Sequence, residues 1–278
     1  MSLNQTIRRY VPSVSMLTYR SWFRWLSRLA DFLPKVVWRE FRSLLPNELR
    51  ARVGVGNRIF TNQVMHIRQG YDFWLHAAAH GWFDFTSDIV EIGVGCGRRA
   101  FHMRDFRLSD STFTGTYLGI DIDSELLSWC RANFDDRFDF VQSTHASASY
   151  INDGASDGYY RVPRDDASVD FFLGTSVLTH LLEPELRNYL EEGARVLRPG
   201  RTLAMTCFAV DYAPSTMGDR HSFRHRVGNA YVESLAQPEA AVAYDASFLC
   251  QVALESGFAD ARIMHHPADV QHILVCTR

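Results

Sequence analysis

The spacing of apolar residues divides the 278-residue chain into a helical beginning and a longer part in which strands and helices alternate. Near the start, apolar residues recur every three or four positions, which predicts an amphipathic helix. They are Trp22, Trp25, Leu26, Leu29 and Leu33, and Arg24, Arg28, Asp31 and Lys35 lie on the opposite face. Pro34 and Pro46 are expected to divide this region into short helices. A second helical pattern covers 61–82.

Short runs of β-branched and aromatic residues follow, separated by helical or polar segments. The predicted strands are 88–92, 117–121, 138–142, 168–174, 201–208, 261–265 and 271–277. Helices are predicted at 125–134, 185–197 and 246–256. Runs that are apolar throughout are typical of parallel strands buried on both faces. The pattern therefore predicts an α/β protein.

The stretch from Ser87 to Ala100, Ser-Asp-Ile-Val-Glu-Ile-Gly-Val-Gly-Cys-Gly-Arg-Arg-Ala, has the strongest chemical signal. Its three glycines are Gly93, Gly95 and Gly97. Without Cβ atoms, such a turn lets backbone N–H groups and a helix N-terminus approach a ligand closely. The spacing differs from the dinucleotide fingerprint Gly-x-Gly-x-x-Gly, whose third glycine is replaced here by Arg98. Glu91 suits a ligand with an ammonium group better than a pyrophosphate. Both features favour S-adenosylmethionine over NAD.

Three later segments complete the pattern: Ser-Val-Asp-Phe at 168–171, Ser-Val-Leu-Thr-His-Leu at 176–181 and Ala-Arg-Val-Leu-Arg-Pro-Gly at 194–200. Over about 88–277 the sequence resembles the class I (Rossmann-like) S-adenosylmethionine-dependent methyltransferases, whose first motif is Asp/Glu-x-Gly-x-Gly-x-Gly. The resemblance implies a doubly wound, mostly parallel seven-stranded sheet with a terminal antiparallel hairpin. It also implies an N-terminal helical cap at 1–85 and a cofactor-binding domain at 86–278, with insertions at 145–168 and 209–244.

The resemblance also implies a set of residues that contact the cofactor. They are Glu91, Gly93, Gly95, Gly97, Asp121, Ile122 and Thr175. Asp121 lies at the end of the second strand, where a doubly wound sheet places the acid that accepts both ribose hydroxyls. Alternatively, Asp121 or Asp123 only caps the next helix, and Asp123 suits capping better. The family's acid after the third strand is missing, because Ser147 or Ala148 occupies its place.

Methyl transfer needs alignment of the reacting atoms and exclusion of water. A hydroxyl acceptor also benefits from a base, and His180, at the carboxyl edge of the predicted sheet, is the candidate catalytic residue. The alternative is a structural histidine held by a hydrogen bond. His221 and His225 would share one face of a helix, but they have no carboxylate at ligand spacing, so no metal site is predicted. In methyltransferases of this type a segment like 61–82 closes over the cofactor, so the resemblance makes Tyr71 and Trp74 candidate pocket residues.

These observations predict methyl transfer to a small-molecule acceptor, with an oxygen nucleophile favoured. The Tyr, Phe and Trp content of the cap and the insertions suits a natural product, a glycan or a lipid head group. Two alternatives remain open: a nicotinamide-dependent oxidoreductase, and a binding module that keeps the fold without turnover. The sequence sets neither the acceptor nor the oligomeric state.

Composition and charge limit the partners. The net charge of −3 gives no case for nucleic acid. Five scattered cysteines without a Cys-x-x-Cys pair argue against a disulfide framework or a zinc site and indicate a reducing compartment. With no signal-peptide pattern, a cytoplasmic protein is expected. Ten basic residues lie against three acidic ones between Arg8 and Arg52. The helical cap is therefore expected to pack on the domain or, alternatively, to lay a basic, Trp-rich face on a membrane or a lipid-like substrate.

Overall fold

A central β-sheet with helices on both faces organises the computed structural model, which describes residues 20–53, 62–105, 107–108, 110–143, 160–212, 221–264 and 271–278. The strands are β1 (Asp88–Ile92), β2 (Arg107–Leu108), β3 (Ser111–Thr112), β4 (Thr116–Asp121), β5 (Phe138–Gln142), β6 (Val169–Gly174), β7 (Leu197–Cys207), β8 (His225–Val227), β9 (Ala230–Val232), β10 (Val242–Ala243), β11 (Asp260–Met264) and β12 (His272–Thr277). The α-helices are α1 (Ser21–Val37), α2 (Asn47–Arg50), α3 (Asn62–Ala79), α4 (Arg98–Asp105), α5 (Ser124–Asn133), α6 (Glu183–Val196) and α7 (Ala246–Glu255).

The main sheet has seven strands in the order β11-β12-β7-β6-β1-β4-β5. β12 runs antiparallel to both of its neighbours, and the other pairings are parallel. This arrangement confirms the predicted doubly wound sheet with its terminal antiparallel hairpin. Ile92 is in register with Ile120 and with Gly174. The carboxyl ends of β1, β4 and β6 therefore meet at one edge, where an open α/β sheet binds its ligands.

Alternate residues of the buried strands face two separate hydrophobic cores. On one face Val90 and Phe172 pack with residues of α6 and α7. On the other, Ile89 and Phe171 pack with residues of α3, α4 and α5. Trp74 of α3 lies fully buried in this second core and donates its Nε1–H to the Arg99 carbonyl oxygen at 3.0 Å. Trp74 is a core residue, so its assignment to a pocket was wrong.

Tyr71, the second pocket candidate, lies exposed on α3. Its ring meets the ring of His102 edge-on at a centroid distance of 6.2 Å. Tyr71 therefore lies on the solvent-facing side of α3, and its contact with the cofactor remains a prediction.

The N-terminal helices differ from the prediction in one respect. α1 continues through Pro34 to Val37 instead of ending at the proline. A proline interrupts a helix because it lacks an N–H group. Here it lies in the last turn, where only one hydrogen bond is lost and the Trp38 N–H still donates to the Pro34 carbonyl oxygen at 2.8 Å. Pro46, in contrast, directly precedes α2, as expected.

The predicted insertion at 209–244 contains a separate three-stranded antiparallel sheet in the order β10-β9-β8. His225 lies in β8, so His221 and His225 do not share a helix face, and that expectation was wrong. Phe208, Phe223, Ala241 and Ala243 form a small core beneath the sheet. Most of the other predicted insertion, with Ser147 and Ala148, lies outside the described residues.

Candidate active site

The turn after β1 has the geometry that only glycine adopts readily, because Gly93, Gly95 and Gly97 all have positive φ angles of 70°, 53° and 66°. Four of its backbone N–H groups bond within the protein. Those of Gly93 and Val94 donate to the Ile120 carbonyl oxygen at 2.8 and 3.1 Å, and that of Gly97 donates to Val94 at 2.9 Å. These N–H groups are therefore engaged within the protein, and the cofactor contacts of Gly93, Gly95 and Gly97 remain predictions. The missing Cβ atoms give clearance to neighbouring side chains.

Side chains from two neighbouring segments occupy the space that the missing Cβ atoms leave. A Cβ atom at Gly93 would lie 2.5 Å from Cγ2 of Val177, in the segment after β6. One at Gly95 would lie 3.1 Å from Cγ1 of Val53, in the segment that follows α2. Arg98 reinforces the second contact, since its guanidinium donates to the Val53 carbonyl oxygen at 3.4 Å and to Gln69 of α3. The helical N-terminal region thus reaches the glycine turn, and Val53 was not identified from the sequence.

Asp121 faces the glycine turn from the end of β4. Its Oδ2 accepts from the Gly95 N–H at 2.6 Å and its Oδ1 accepts from the Asp123 N–H at 3.0 Å. Burial raises the pKa of this carboxyl above its ordinary value, although both N–H groups act in the opposite direction. A carboxylate has about four acceptor sites, so these two bonds leave capacity for further donors. Asp123 caps α5 by accepting from the N–H groups of Glu125 and Leu126.

The segment after β6 brings a second polar group to this edge. The hydroxyl of Thr175 is buried without a hydrogen-bond partner among the described residues. Ser176, next in the chain, has a positive φ of 55° and donates its N–H to Oγ1 of Thr206 at 2.7 Å. An orphaned buried hydroxyl is costly unless a ligand satisfies it. Ile122 is half-buried at the same edge, and its carbonyl oxygen accepts from the Gln142 amide.

These features fit a polar ligand with hydroxyl groups. The Asp121 carboxylate can accept further hydrogen bonds, and the Thr175 hydroxyl lacks a partner in the described part of the chain. A nucleoside with two ribose hydroxyls matches this donor and acceptor set.

Glu91 lies beneath the turn in a buried cluster that the sequence did not reveal. Its Oε2 accepts from the Tyr117 hydroxyl at 2.5 Å, and its Oε1 lies 3.8 Å from the Arg99 guanidinium. Burial is the largest effect on the Glu91 carboxyl and raises its pKa to about 7. Its contact with the cofactor remains a prediction. The signal that could have found Tyr117 is its position in β4 directly beside β1.

The raised pKa of Glu91 predicts a pH-dependent stability. A carboxyl whose pKa rises from 4.5 in the unfolded chain to about 7 in the fold stabilises the fold below pH 4.5, and this contribution is lost as pH rises through 7. Glu91→Gln removes the ionisable group, so the variant does not lose this stability as the pH rises. The free energy of unfolding of the variant relative to the wild type is therefore expected to increase by about 3 kcal/mol between pH 4.5 and 8.

Urea unfolding at pH 4.5, 6 and 8 measures this difference. Glu191→Gln, at an exposed position of α6, is the matched control and should show no such trend. A constant difference between Glu91→Gln and the wild type across the three pH values would contradict the prediction.

His180 ends a short 3₁₀ turn, Leu178–His180, that follows the segment after β6. Its Nδ1 lies 2.8 Å from the Glu239 carbonyl oxygen in the 209–244 insertion. Since a carbonyl only accepts, Nδ1 carries the proton in the neutral ring, and the basic lone pair lies on Nε2. Burial lowers the pKa of His180 below its ordinary 6.5, so the ring is neutral at pH 7.

The other described histidine candidate, His221, packs as an aromatic residue. Its ring stacks on Phe223 with an interplanar angle of 15° and also contacts Phe208. Its Nδ1 lies 3.9 Å from the Glu233 carboxylate. Within the described ranges, no group of three or more His, Cys, Asp or Glu side chains is arranged to hold a metal ion.

Comparisons with known proteins bear on the same part of the chain. Residues 90–205 match the family model of a methyltransferase domain. Among solved structures, an S-adenosylmethionine-dependent methyltransferase from Methanosarcina mazei is 18% identical, with 72% of this chain and 96% of that chain covered and a TM-score of 0.49. One from Mesorhizobium loti is 15% identical, with 73% and 96% covered and a TM-score of 0.48. A third is 1,6-didemethyltoxoflavin-N1-methyltransferase from Burkholderia thailandensis, 17% identical, with 78% and 84% covered and a TM-score of 0.44.

The family match runs from β1, through the glycine turn and Asp121, to β7. It covers the strands whose carboxyl ends form the candidate site, and the sheet has the predicted order with its antiparallel β12. The match identifies residues 90–205 as a methyltransferase domain, and the order of the sheet is that of the class I, Rossmann-like fold.

Proposed function

We propose that the chain methylates an oxygen atom of a small-molecule acceptor, with His180 as the base that removes the hydroxyl proton. One observation carries this proposal. The Glu239 carbonyl holds the Nδ1–H of a neutral imidazole, which leaves basicity on Nε2. The residue lies three positions after Val177, whose side chain contacts the glycine turn. When bound, S-adenosylmethionine supplies an electrophilic methyl group.

The proposed cofactor contacts come from the carboxyl edges of β1, β4 and β6. Asp121 would accept hydrogen bonds from the ribose hydroxyls, with Ile122 beside it. Thr175 would use its otherwise unsatisfied hydroxyl, and the backbone of Gly93, Gly95 and Gly97 would lie against the cofactor. Glu91 would hold the cofactor's amino group from below the turn. The proposed units are the cap at 1–85 and the domain at 86–278, whose insertions at 145–168 and 209–244 would shape the acceptor pocket.

Asp121→Asn tests the ribose contact. The Asn amide keeps one acceptor oxygen, but its NH₂ group faces another donor, either an N–H group or a ribose hydroxyl. The Kd for S-adenosylhomocysteine is therefore expected to rise about 30-fold, which is a loss of about 2 kcal/mol of binding free energy. Isothermal titration calorimetry measures it, with the exposed Asp136→Asn as control. The 2′-deoxy ligand separates a ribose contact from damage to the turn. It should bind the wild type more weakly than the parent ligand does and should bind Asp121→Asn about as well as the parent ligand. An unchanged Kd in Asp121→Asn contradicts the assignment.

The acceptor is tested with pairs of small molecules that carry a hydroxyl or an amine at the same position, such as phenols with anilines and sugars with amino sugars. Release of S-adenosylhomocysteine is followed, and products are analysed by mass spectrometry. We expect methylation of hydroxyl-bearing members. Methylation confined to the amines would overturn the oxygen assignment. Absence of affinity for S-adenosylhomocysteine would instead favour a module that keeps the fold without turnover.

A further inference from the structure

The outer face of α1 carries a large apolar surface that is exposed to solvent. Nine large apolar side chains of α1 and the residue after it are between 49% and 66% exposed. They are Trp22, Trp25, Leu26, Leu29, Phe32, Leu33, Val36, Val37 and Trp38. The largest apolar patch on a typical monomer is about 300–600 Å², and these side chains together leave on the order of 1,000 Å² uncovered. A surface of this size indicates an interaction site.

The orientation of α1 is set by ion pairs on its inner face. Asp31 accepts from Arg50 at 2.7 Å and from Lys35 at 2.9 Å. Arg28 makes a two-pronged pair with Glu48 at 2.8 and 3.0 Å. Asp31 is therefore held against the protein, whereas the paired Arg28 side chain is 65% exposed. The apolar side of α1 faces outward, the reverse of the packing expected for a simple cap. Contact of a basic, Trp-rich face with a membrane remains a prediction.

The charges at the two ends of the apolar face distinguish between two binding partners, a second copy of the chain and an anionic surface. Exposed Arg20 lies at one end, and exposed Arg39 and Arg42 lie at the other, with the acid Glu40. Pairing with a second copy would bring arginine near arginine, in parallel and in antiparallel arrangements alike. An anionic surface would instead attract them. Tryptophan is enriched at membrane interfaces, and Trp22, Trp25 and Trp38 lie within this face.

We propose that the outer face of α1 binds the surface of an anionic phospholipid bilayer. The helix would lie in the plane of the interface, with its apolar side chains at the boundary of headgroups and acyl chains and its terminal arginines on phosphates. No helix within the described ranges is both long and apolar enough to span a bilayer. The proposed association is peripheral, and it does not depend on the identity of the methyl acceptor.

Vesicle flotation of the full chain tests the proposal, with vesicles of phosphatidylcholine alone and of phosphatidylcholine mixed with phosphatidylglycerol. We expect binding to the anionic vesicles. The triple variant Trp25→Gln, Leu29→Gln, Phe32→Gln should bind at least about tenfold more weakly, because three inserted apolar groups are lost. The matched control changes three exposed apolar residues elsewhere, Val64→Gln, Leu235→Gln and Leu254→Gln, and should bind like the wild type. Arg20→Gln with Arg39→Gln should weaken binding to anionic vesicles only.

Circular dichroism and the affinity for S-adenosylhomocysteine show that each variant is folded. Failure of the wild type to float with anionic vesicles would overturn the proposal, and so would equal flotation of the outer-face triple variant. Sedimentation equilibrium tests the alternative that a second copy of the chain binds this face. A dimer that the outer-face variant dissociates, in a protein that does not bind vesicles, would assign the face to a second copy of the chain.

Discussion

Replacing His180 with Asn is expected to lower kcat by roughly 100- to 10,000-fold, the usual contribution of a positioned general base. The Asn amide can still donate to the Glu239 carbonyl oxygen, which now bonds to Nδ1 at 2.8 Å, so the local fold should persist. What is lost is a group able to take a proton. Steady-state kinetics with the hydroxyl acceptor found in the paired screen measures the effect, and the affinity for S-adenosylhomocysteine should change by no more than about twofold.

A second histidine provides the control for this variant. His80 also places its Nδ1 near a backbone carbonyl oxygen, that of His76 at 2.9 Å, but it is exposed on the surface after α3. His80→Asn should leave kcat unchanged. If His180→Asn retains the wild-type kcat, His180 is a structural histidine and the transfer proceeds without it.

The pH profile gives an independent readout of the same role. The protonated ring cannot accept a proton, so kcat of the wild type should fall at acid pH, with unit slope below the pKa of His180. Because burial lowers that pKa below 6.5, kcat should be constant around pH 7. His180→Asn should lose this acid limb, whereas a merely structural role would leave the limb in place.

Much of the domain could be predicted because strands carry a local signal. β1 and β5 have the predicted bounds, and β4 and β12 differ from prediction by one residue. Buried parallel strands are short apolar runs between turn residues, so neighbouring residues suffice to identify them. β7 begins four residues earlier than expected, at Leu197, since the Pro-Gly turn is included in the strand. The earlier start of β7 depends on its pairing with β6, a separate strand, so the neighbouring residues in the sequence cannot reveal it.

The orientation of α1 shows the limit of such reasoning. Periodicity showed an apolar and a charged face, and the usual rule turns the apolar face inward. Here the orientation of α1 is reversed by ion-pair partners in other segments, namely Glu48, Arg50 and Glu125. Glu125 lies on α5 and pairs with Arg24. Periodicity within one helix cannot show whether its charges have partners elsewhere.

The candidate site shows the same limit. Motif spacing located the three glycines because the turn needs positive φ angles at fixed positions. It located Asp121 because this acid ends the second strand of the sheet. It did not show that Arg99 of α4 lies near Glu91, or that Val53 reaches the turn from the segment after α2. It also could not show that the N–H groups of Gly93 and Val94 donate to the Ile120 carbonyl oxygen of β4.

The ion pair between Asp31 and Arg50 leads to the second large effect. The Arg50 side chain is 0% exposed and that of Asp31 is 7% exposed. Asp31→Leu leaves a buried guanidinium without this partner, which is expected to cost about 3–5 kcal/mol of unfolding free energy. The fall in Tm should be roughly 10 °C. Differential scanning calorimetry and urea unfolding at pH 7 measure both quantities.

An exposed pair and a double variant complete this experiment. Asp72 pairs with Arg68 at 3.3 Å, with side chains 51% and 66% exposed, and exposed pairs contribute about 0–1 kcal/mol. Asp72→Leu should therefore cost far less than Asp31→Leu. Combining Asp31→Leu with Arg50→Leu removes the stranded charge and should restore most of the loss, since apolar replacements of buried pairs are often neutral. Equal costs for Asp31→Leu and Asp72→Leu would show that the inner face of α1 is solvated, and α1 would then be free to turn.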